Sequence, residues 1–398
     1  MFKRLKARKP SVKRSPGLVH DEPPENLYCR PHFLHQTPRE TSLDQTVRPV
    51  IFPPRNKKLP WSTGYAEVVN AGKSIFNEDQ ATCKQLILKN RVNIDEDWVF
   101  LCPSEEPQNQ EIMATYWGLF DGHGGPVAAI QASKHLHHCI KEQLEEIFNV
   151  ISKPSTISPP IHLMEHTGNE NEMSYAREKE ICIENVVRGA VEVAFKKCDE
   201  LIGQYQISGN ETGGCTVLVV LHLQGKLYVA SAGDSRAIAV QKNDVIPLSN
   251  EFTAVTERQR IQHLTRVMGT TVVTRGLGDH KLMVYDTDLC IKPFLSCIPE
   301  VTVFDLGQHE FGQTDALIMA TDGLWDVMSN KDVADITEKF LDEQKQDPCR
   351  YAMLAQYLVL KARGVPHSND WILEDGSFAS LDDISVFVIP LYHLGGTA

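Results

Sequence analysis

Apolar residues along this 398-residue chain follow two rhythms. From Trp61 onward, short runs rich in β-branched and aromatic residues, "YAEVVNAG", "QATCKQLIL", "DWVFLC" and "MATYWGLF", predict strands. Over 126–149, "PVAAIQASKHLHHCIKEQLEEIFN" repeats its apolar positions every three or four residues, which predicts an amphipathic helix with Pro126 in its first turn. Residues 151–180 read as a polar loop and 181–206 as a second helix. The runs "GCTVLVVLHL", "KLYVASAG", "RAIAVQ" and "DVIPLS" then predict strands, separated by the turn signals "QGK", "GDS" and "KND". A helix near 254–264, strands near 270–274 and 315–321, helices near 330–344 and 349–363 and a last strand "ISVFVIPLY" complete the pattern. Strand groups joined by hairpins, with helices between the groups, point to an α+β fold of antiparallel sheets covered by helices.

Composition adds a core and removes several function classes. At 42% hydrophobic the chain can bury a substantial interior. Its longest apolar runs fall far short of the ~20 residues a membrane helix needs, so no transmembrane segment is expected. "MFKRLKARKP" has no apolar stretch behind its charges, and the ten cysteines contain no CxxC pair. Both features predict an intracellular protein with reduced thiols, in nucleus and/or cytoplasm. The net charge of −12 is uneven: residues 1–60 hold 13 Lys/Arg against 5 Asp/Glu, residues 61–398 hold 27 against 47. So acidic a domain repels nucleic acid and suits hard cations such as Mg²⁺ or Mn²⁺. Residues 1–60, basic and Pro-rich without sustained periodicity, are expected to be a largely disordered tail preceding a catalytic domain over 61–398. The seven positive charges among the first fourteen residues suit a solvated arm, a nuclear-import patch or attraction to an anionic partner.

Carboxylates recur where apolar runs end. "YWGLFDGHGG" stops at Asp121, "VASAGDSRAIAV" at Asp234, and "ALIMATDGLWDVMS" at Asp322 with Asp326 four residues on, while "SLDDISVFVIP" begins with Asp382 and Asp383. One Asp-Gly pair is explained by a plain turn. Several carboxylates projecting from strand ends toward one rim would repel each other near a core unless cations compensated them.

In order, and mostly in spacing, "YWGLFDGHGG", "SAGDSRAIAV", "TRGLGDH", "ATDGLWDVMS" and "DDISVFVIPL" resemble the motifs of the metal-dependent Ser/Thr protein phosphatases of the 2C type. The resemblance covers 61–392, and "LPWSTGYAEVVNAGKS" and "IKPFLS" look most like the H/J/M branch. It implies a four-layer α-β-β-α sandwich of two antiparallel sheets flanked by helices. It also implies a protein serine/threonine phosphatase, acting on phosphorylated protein substrates through a metal-activated water at a centre of two Mn²⁺ or Mg²⁺ ions. By the same resemblance Asp121 bridges both metals, the Gly122 carbonyl ligates one, Asp322 and Asp382 ligate the other, and Glu78 and Asp79 hold metal-bound water. His123 matches the general acid, although packing or capping of the next helix would also account for a histidine there. Asp234 and Asp326 match a weaker third metal position, with turn and helix-capping roles as alternatives.

The phosphate contact is less regular. Ser74 stands where family members often place an arginine, leaving Lys73 beside it as a point charge without bidentate geometry. Arg275 in "TRGLGD" suits either substrate contact or an ion pair, with Asp279 as the expected partner. His135, His137 and His138 lie on the first long helix, and only His135 and His138 share a face, so a metal role is not expected. Between "ERQRIQHL" and "VVTRGLGD" only "TRVMGT" intervenes, shorter than the family pattern. A lost element there would favour a second reading, a catalytically impaired phosphatase-like binding or scaffold protein. A two-metal nuclease conflicts with the acidic charge.

Overall fold

A computed structural model describes residues 31–34, 44–54, 56–90, 110–153, 182–242, 244–258, 260, 273–283, 290–292, 294–368 and 370–395. Strands β1 (Gly64–Val68), β2 (Gln80–Lys89) and β3 (Glu111–His123) are followed by helices α1 (Val127–Glu146), α2 (Phe148–Ser152) and α3 (Ile183–Gly209). Next come β4 (Gly214–Leu223), β5 (Lys226–Ala232), β6 (Arg236–Gln241), β7 (Asp244–Pro247), β8 (Leu277–Gly278), β9 (Glu300–Asp305) and β10 (Ala316–Ala320). Helices α4 (Asp322–Trp325), α5 (Asn330–Glu343) and α6 (Arg350–Arg363), the hairpin β11 (Val365–His367) and β12 (Asp370–Ile372), strand β13 (Ile384–Pro390) and α7 (Leu391–Gly395) complete the order.

The strands form a five-stranded sheet, β1-β13-β10-β6-β7, and a six-stranded sheet, β2-β3-β4-β5-β9 with β8 paired to β4. Neighbours in both run antiparallel. Three apolar layers separate four layers of structure. One lies between α1, α3 and the six-stranded sheet, one between the sheets, and one between the five-stranded sheet and α5, α6. Strand β3 sends Tyr116 and Phe120 toward the helices and Trp117 and Leu119 toward the other sheet, all fully buried. Burial on both faces is why these strands read as unbroken apolar runs; each large side chain so placed contributes roughly 1.5–3 kcal/mol. Helix α5 starts at a capping box in which Ser329 Oγ accepts the Asp332 N–H and the Asp332 carboxylate accepts the Ser329 N–H. The expected four-layer sandwich is thus present.

Some expectations change. β9 adds an edge strand that the apolar pattern had not singled out. Near 254–264 the described residues 254–257 form a turn and Arg258 and Arg260 are helical; of the strand expected near 270–274 only Val273 and Thr274 are described, Val273 making a bridge to Thr253. The strand expected at 97–102, the loop beyond 153 and the shortened passage at 264–270 lie outside the described residues. The packed unit also reaches back before Trp61: Phe33 and Leu34 enter the layer between the sheets, and Ile51 bridges Glu67 of β1. Arg48 is fully buried and donates to the carbonyls of Val69, Ser380 and Asp382, each at 2.7 Å. Anchoring by single side chains leaves no periodicity for a sequence to display.

Candidate active site

Two connections that cross between the sheets carry three of the carboxylates, and strand ends carry the rest. The chain passes from β1 to β2 through Glu78 and Asp79, and from β5 to β6 through Asp234. Strand β10 leaves the five-stranded sheet into Asp322, and β13 enters it from Asp382 and Asp383. Asp121 stands on β3 opposite Thr216. Period-two alternation gives it the same face as Trp117 and Leu119, toward the second sheet. Carboxylate oxygens of Asp121, Asp234 and Asp322 consequently all lie within 4.8 Å of one another. These three residues line a cleft of about 550 Å³ together with Gly122, His123 and Asp279.

Burial pushes the Asp121 carboxyl well above the usual carboxylate range, and the charges of Asp322, Asp79 and Asp234 push in the same direction. Asp234 is raised to about 7, first by burial and then by Asp322. Asp322 Oδ1 is buried without a hydrogen-bond donor among the described residues. Converging half-buried carboxylates with an orphaned acceptor oxygen are the donor set of a hard divalent cation, so these residues fit a metal. Gly122 fits for an added reason: a Cβ there would lie 2.5 Å from the Glu78 carbonyl oxygen.

Glu78 and Asp79 point to different neighbours. Glu78 Oε1 accepts the Gly125 N–H at 2.7 Å, just before α1. Asp79 is buried, accepts from the Thr321 hydroxyl at 2.8 Å, and is held well above the ordinary range by burial and by Asp383. Asp383 ties the crossing loop to the last strand, accepting the N–H of Asn70 at 2.7 Å and of Glu78 at 2.8 Å. Behind it Glu67 is raised well above its usual value by burial and by Asp79 and Asp383, and takes a hydrogen bond from Tyr65.

His123 Nε2 lies 2.8 Å from Asp279 Oδ2. Because a carboxylate oxygen accepts, this nitrogen carries the proton, and Nδ1 is the ring nitrogen that this bond does not use. Burial alone would lower the imidazole pKa, but the hydrogen bond and charge of Asp279, with Asp234 and Glu78, raise it above its ordinary value. The dyad is possible because residue 214 is glycine. A Cβ on Gly214 would stand 2.3 Å from Asp279 Oδ2 and 2.8 Å from His123 Nε2.

Other expected positions are placed differently. Lys73 lines the cleft, but its ammonium pairs with the Asp382 carboxylate, which also accepts the Asp383 N–H at 2.9 Å. Asp382 is outside the Asp121–Asp234–Asp322 group, bonded to lysine. Asp326 closes α4, its N–H donating to the Asp322 carbonyl at 2.8 Å, and is outside that group. Arg275 does not enter the cleft. It bonds Glu257 through Nη2 at 2.7 Å and Nε at 3.1 Å, and stacks over Phe252. The expected Arg275–Asp279 pair is replaced by Arg275–Glu257 and His123–Asp279, because Asp279 adopts a left-handed φ of 57° that turns it toward β3. Gly214 and Arg48 were not singled out from sequence, and Asp279 and Asp383 were named there without the partners they have here. Of these, only the "GLGD" turn signal before Asp279 marked an unusual backbone.

Residues 161–365 match the family model described as protein phosphatase 2C. Protein phosphatase 1M of Homo sapiens is 40% identical over 435 aligned positions, covering 92% of each chain. Protein phosphatase 1H of Xenopus tropicalis is 38% identical, covering 95% of each. An alignment of 435 positions exceeds the 398 residues available, so the human relative carries residues inside the aligned span that this chain lacks. Among solved structures, the serine-threonine phosphatase 2C of Toxoplasma gondii aligns with a TM-score of 0.51 at 17% identity, over 86% of this chain and 99% of that one, a likeness of fold alone. With both the motif order and the acidic cleft in place, the chain belongs to the protein phosphatase 2C family, in the branch of its 1H, 1J and 1M proteins, and is a metal-dependent phosphoprotein phosphatase.

Proposed function

We propose that the protein hydrolyses phosphoseryl and phosphothreonyl residues by direct attack of water at a centre of two Mn²⁺ or Mg²⁺ ions, without a covalent enzyme intermediate. The observation that carries this reading is the convergence of the Asp121, Asp234 and Asp322 carboxylates in one cleft with the His123–Asp279 pair. Asp121, Asp322, Asp382 and the Gly122 carbonyl would hold the cations, with Glu78 and Asp79 behind the water and Asp234 and Asp326 at a weaker third position. Bound there, divalent cations supply Lewis-acid activation of water and neutralise phosphoryl charge.

His123 contributes at the other end of the scissile bond. Asp279 fixes the ring through Nε2 and favours its protonated form, so Nδ1–H is the group that protonates the departing seryl or threonyl oxygen. Lys73 and Lys281 are the lysines that line the cleft and could meet the substrate phosphate, and using Lys73 requires exchanging its Asp382 partner for a phosphoryl oxygen. That competition favours the impaired-enzyme reading as the second one.

Hydrolysis of a phosphothreonine peptide by the purified protein, dependent on Mn²⁺ and lost in Asp121→Ala, would support the enzyme reading. A folded protein that binds Mn²⁺ calorimetrically yet shows no turnover would replace it by the binding or scaffold reading.

A further inference from the structure

The turn that presents Asp279 to His123 is gripped from its far side by buried ion pairs that the proposed mechanism does not use. Asp199, on the buried face of α3, accepts the Gly278 N–H on Oδ1 at 2.8 Å. Lys292 Nζ reaches its two carboxylate oxygens at 2.6 and 2.5 Å. His280 donates from Nε2 to the Asp199 main-chain carbonyl at 2.9 Å and stands 3.2 Å from Oδ1. Its ring is seated on Gly203, where a Cβ would come within 3.0 Å. The residues immediately before and after Asp279 are therefore both tied to Asp199.

Asp279 needs such restraint. Its φ of 57° is a left-handed conformation that costs a non-glycine residue roughly 1–2 kcal/mol, so an unrestrained turn would relax. Its own N–H donates to the Gly213 carbonyl at 2.8 Å, and Gln206 of α3 donates to the same carbonyl at 2.6 Å. Burial would raise the Asp199 carboxyl, but His280 and Lys292 hold it below the usual carboxylate range, as an ion able to keep these bonds.

We propose that Asp199 is a positioning residue for the proton donor: through Gly278 and His280 it fixes the Asp279 turn, and through Asp279 it fixes the His123 ring. This rests on the reading in which His123 protonates the leaving oxygen. The step it serves breaks the bond between phosphorus and the seryl or threonyl oxygen. Water oxygen bonds to phosphorus and its protons leave with the inorganic phosphate, the His123 Nδ1 proton passes to the departing oxygen, and His123 regains a proton from solvent before the next turnover.

A proton donor matters in proportion to the basicity of the leaving group. An alkoxide needs the proton, whereas p-nitrophenolate leaves without it. In Asp199→Ala, which removes the acceptor of the Gly278 N–H and the carboxylate beside His280, kcat on a phosphothreonine peptide should fall about 10- to 100-fold, the scale of an ångström-sized misplacement, while kcat on p-nitrophenyl phosphate stays within about 3-fold. KM for both should stay within about 3-fold, and in a His123→Ala background the Asp199 substitution should add nothing. His280→Ala, on the more exposed side of the turn, should show the same selectivity at smaller size and keeps the test available if Asp199→Ala does not fold. In chelated protein, the Gly278 amide should exchange hydrogen faster in either variant, by more than the amides in the middle of β4 do. Equal losses on both substrates in a stably folded variant, or no loss on the peptide, would overturn the inference while leaving the phosphatase reading intact. No turnover of either substrate by the wild type would overturn both.

Discussion

Stripping divalent cations from the protein should make its stability fall as pH rises, a consequence of the three carboxylates that share the cleft. Asp234 is raised from 3.8 to about 7, and Asp121 and Asp79 are raised in the same direction. Folded values above unfolded ones mean that the folded protein holds these protons more tightly. The stability they contribute is complete below about pH 4 and is lost as pH climbs through about 7. At ~1.36 kcal/mol per pH unit, Asp234 alone is worth on the order of 4 kcal/mol between these limits. For a domain of this size that is a melting-temperature decrease of roughly 10 °C, most of it between pH 5 and 8. Calorimetry of chelated protein at four pH values, repeated with saturating Mn²⁺, measures it. Cation binding favours the ionised carboxylates, so the Mn²⁺-induced increase in melting temperature should be small at pH 5 and large at pH 8. Metal-free Asp234→Asn should melt above the metal-free wild type at pH 8 and show a flatter pH dependence. A metal-free melting temperature that is flat or rising from pH 5 to 8, or an equal Mn²⁺ shift at both ends, would refute the account of the cleft as an uncompensated acidic cluster.

Arg48→Met keeps apolar volume but strands the carbonyls of Val69, Ser380 and Asp382, so urea titration should show a loss of roughly 3 kcal/mol or more. Glu257, lowered to about 2 against a burial effect that would raise it, contributes stability through Arg275 and Arg260 that is present above about pH 4.5 and lost as pH falls toward 2. The melting-temperature gap between wild type and Glu257→Gln should therefore be widest near pH 6–7 and narrow toward pH 3, and a gap that widens in acid would contradict the pairing. Gly214→Ala forces a methyl group against Asp279 and His123, and steady-state kinetics should show kcat on a phosphopeptide down about 100-fold with the fold retained by circular dichroism.

How much of this was readable beforehand follows from where the information resides. Strands β3, β4, β10 and β13 were legible because burial on both faces writes an unbroken apolar run, and their terminal carboxylates stood out against it. Whether those carboxylates meet depends on which sheet each strand joins, and strand order is not a local property. The resemblance to a family supplied that link. Partner choice was the least legible part: Arg275 reaches Glu257, 18 positions away, in preference to Asp279, because the reversed backbone at Asp279 sends its carboxylate to the other side. Arg48 was hidden for a related reason, since its acceptors at Ser380 and Asp382 lie 332 and 334 positions along the chain.

Those long-range bonds constrain how the site can form. Asp382 and Asp383 arrive just before β13, which inserts between β1 and β10, so the strand that is last in sequence lies inside its sheet and not at an edge. Asp383 then holds Asn70 and Glu78 by their N–H groups, and Arg48 clasps the Val69, Ser380 and Asp382 carbonyls. Until β13 is in place, the loop bearing Glu78 and Asp79 lacks its anchor and β10 lacks the neighbour beside which Asp322 emerges. Assembly of the cleft is thereby coupled to closure of the five-stranded sheet, and a lesion at either end of the chain, at Arg48 or in β13, should disturb the same few carboxylates.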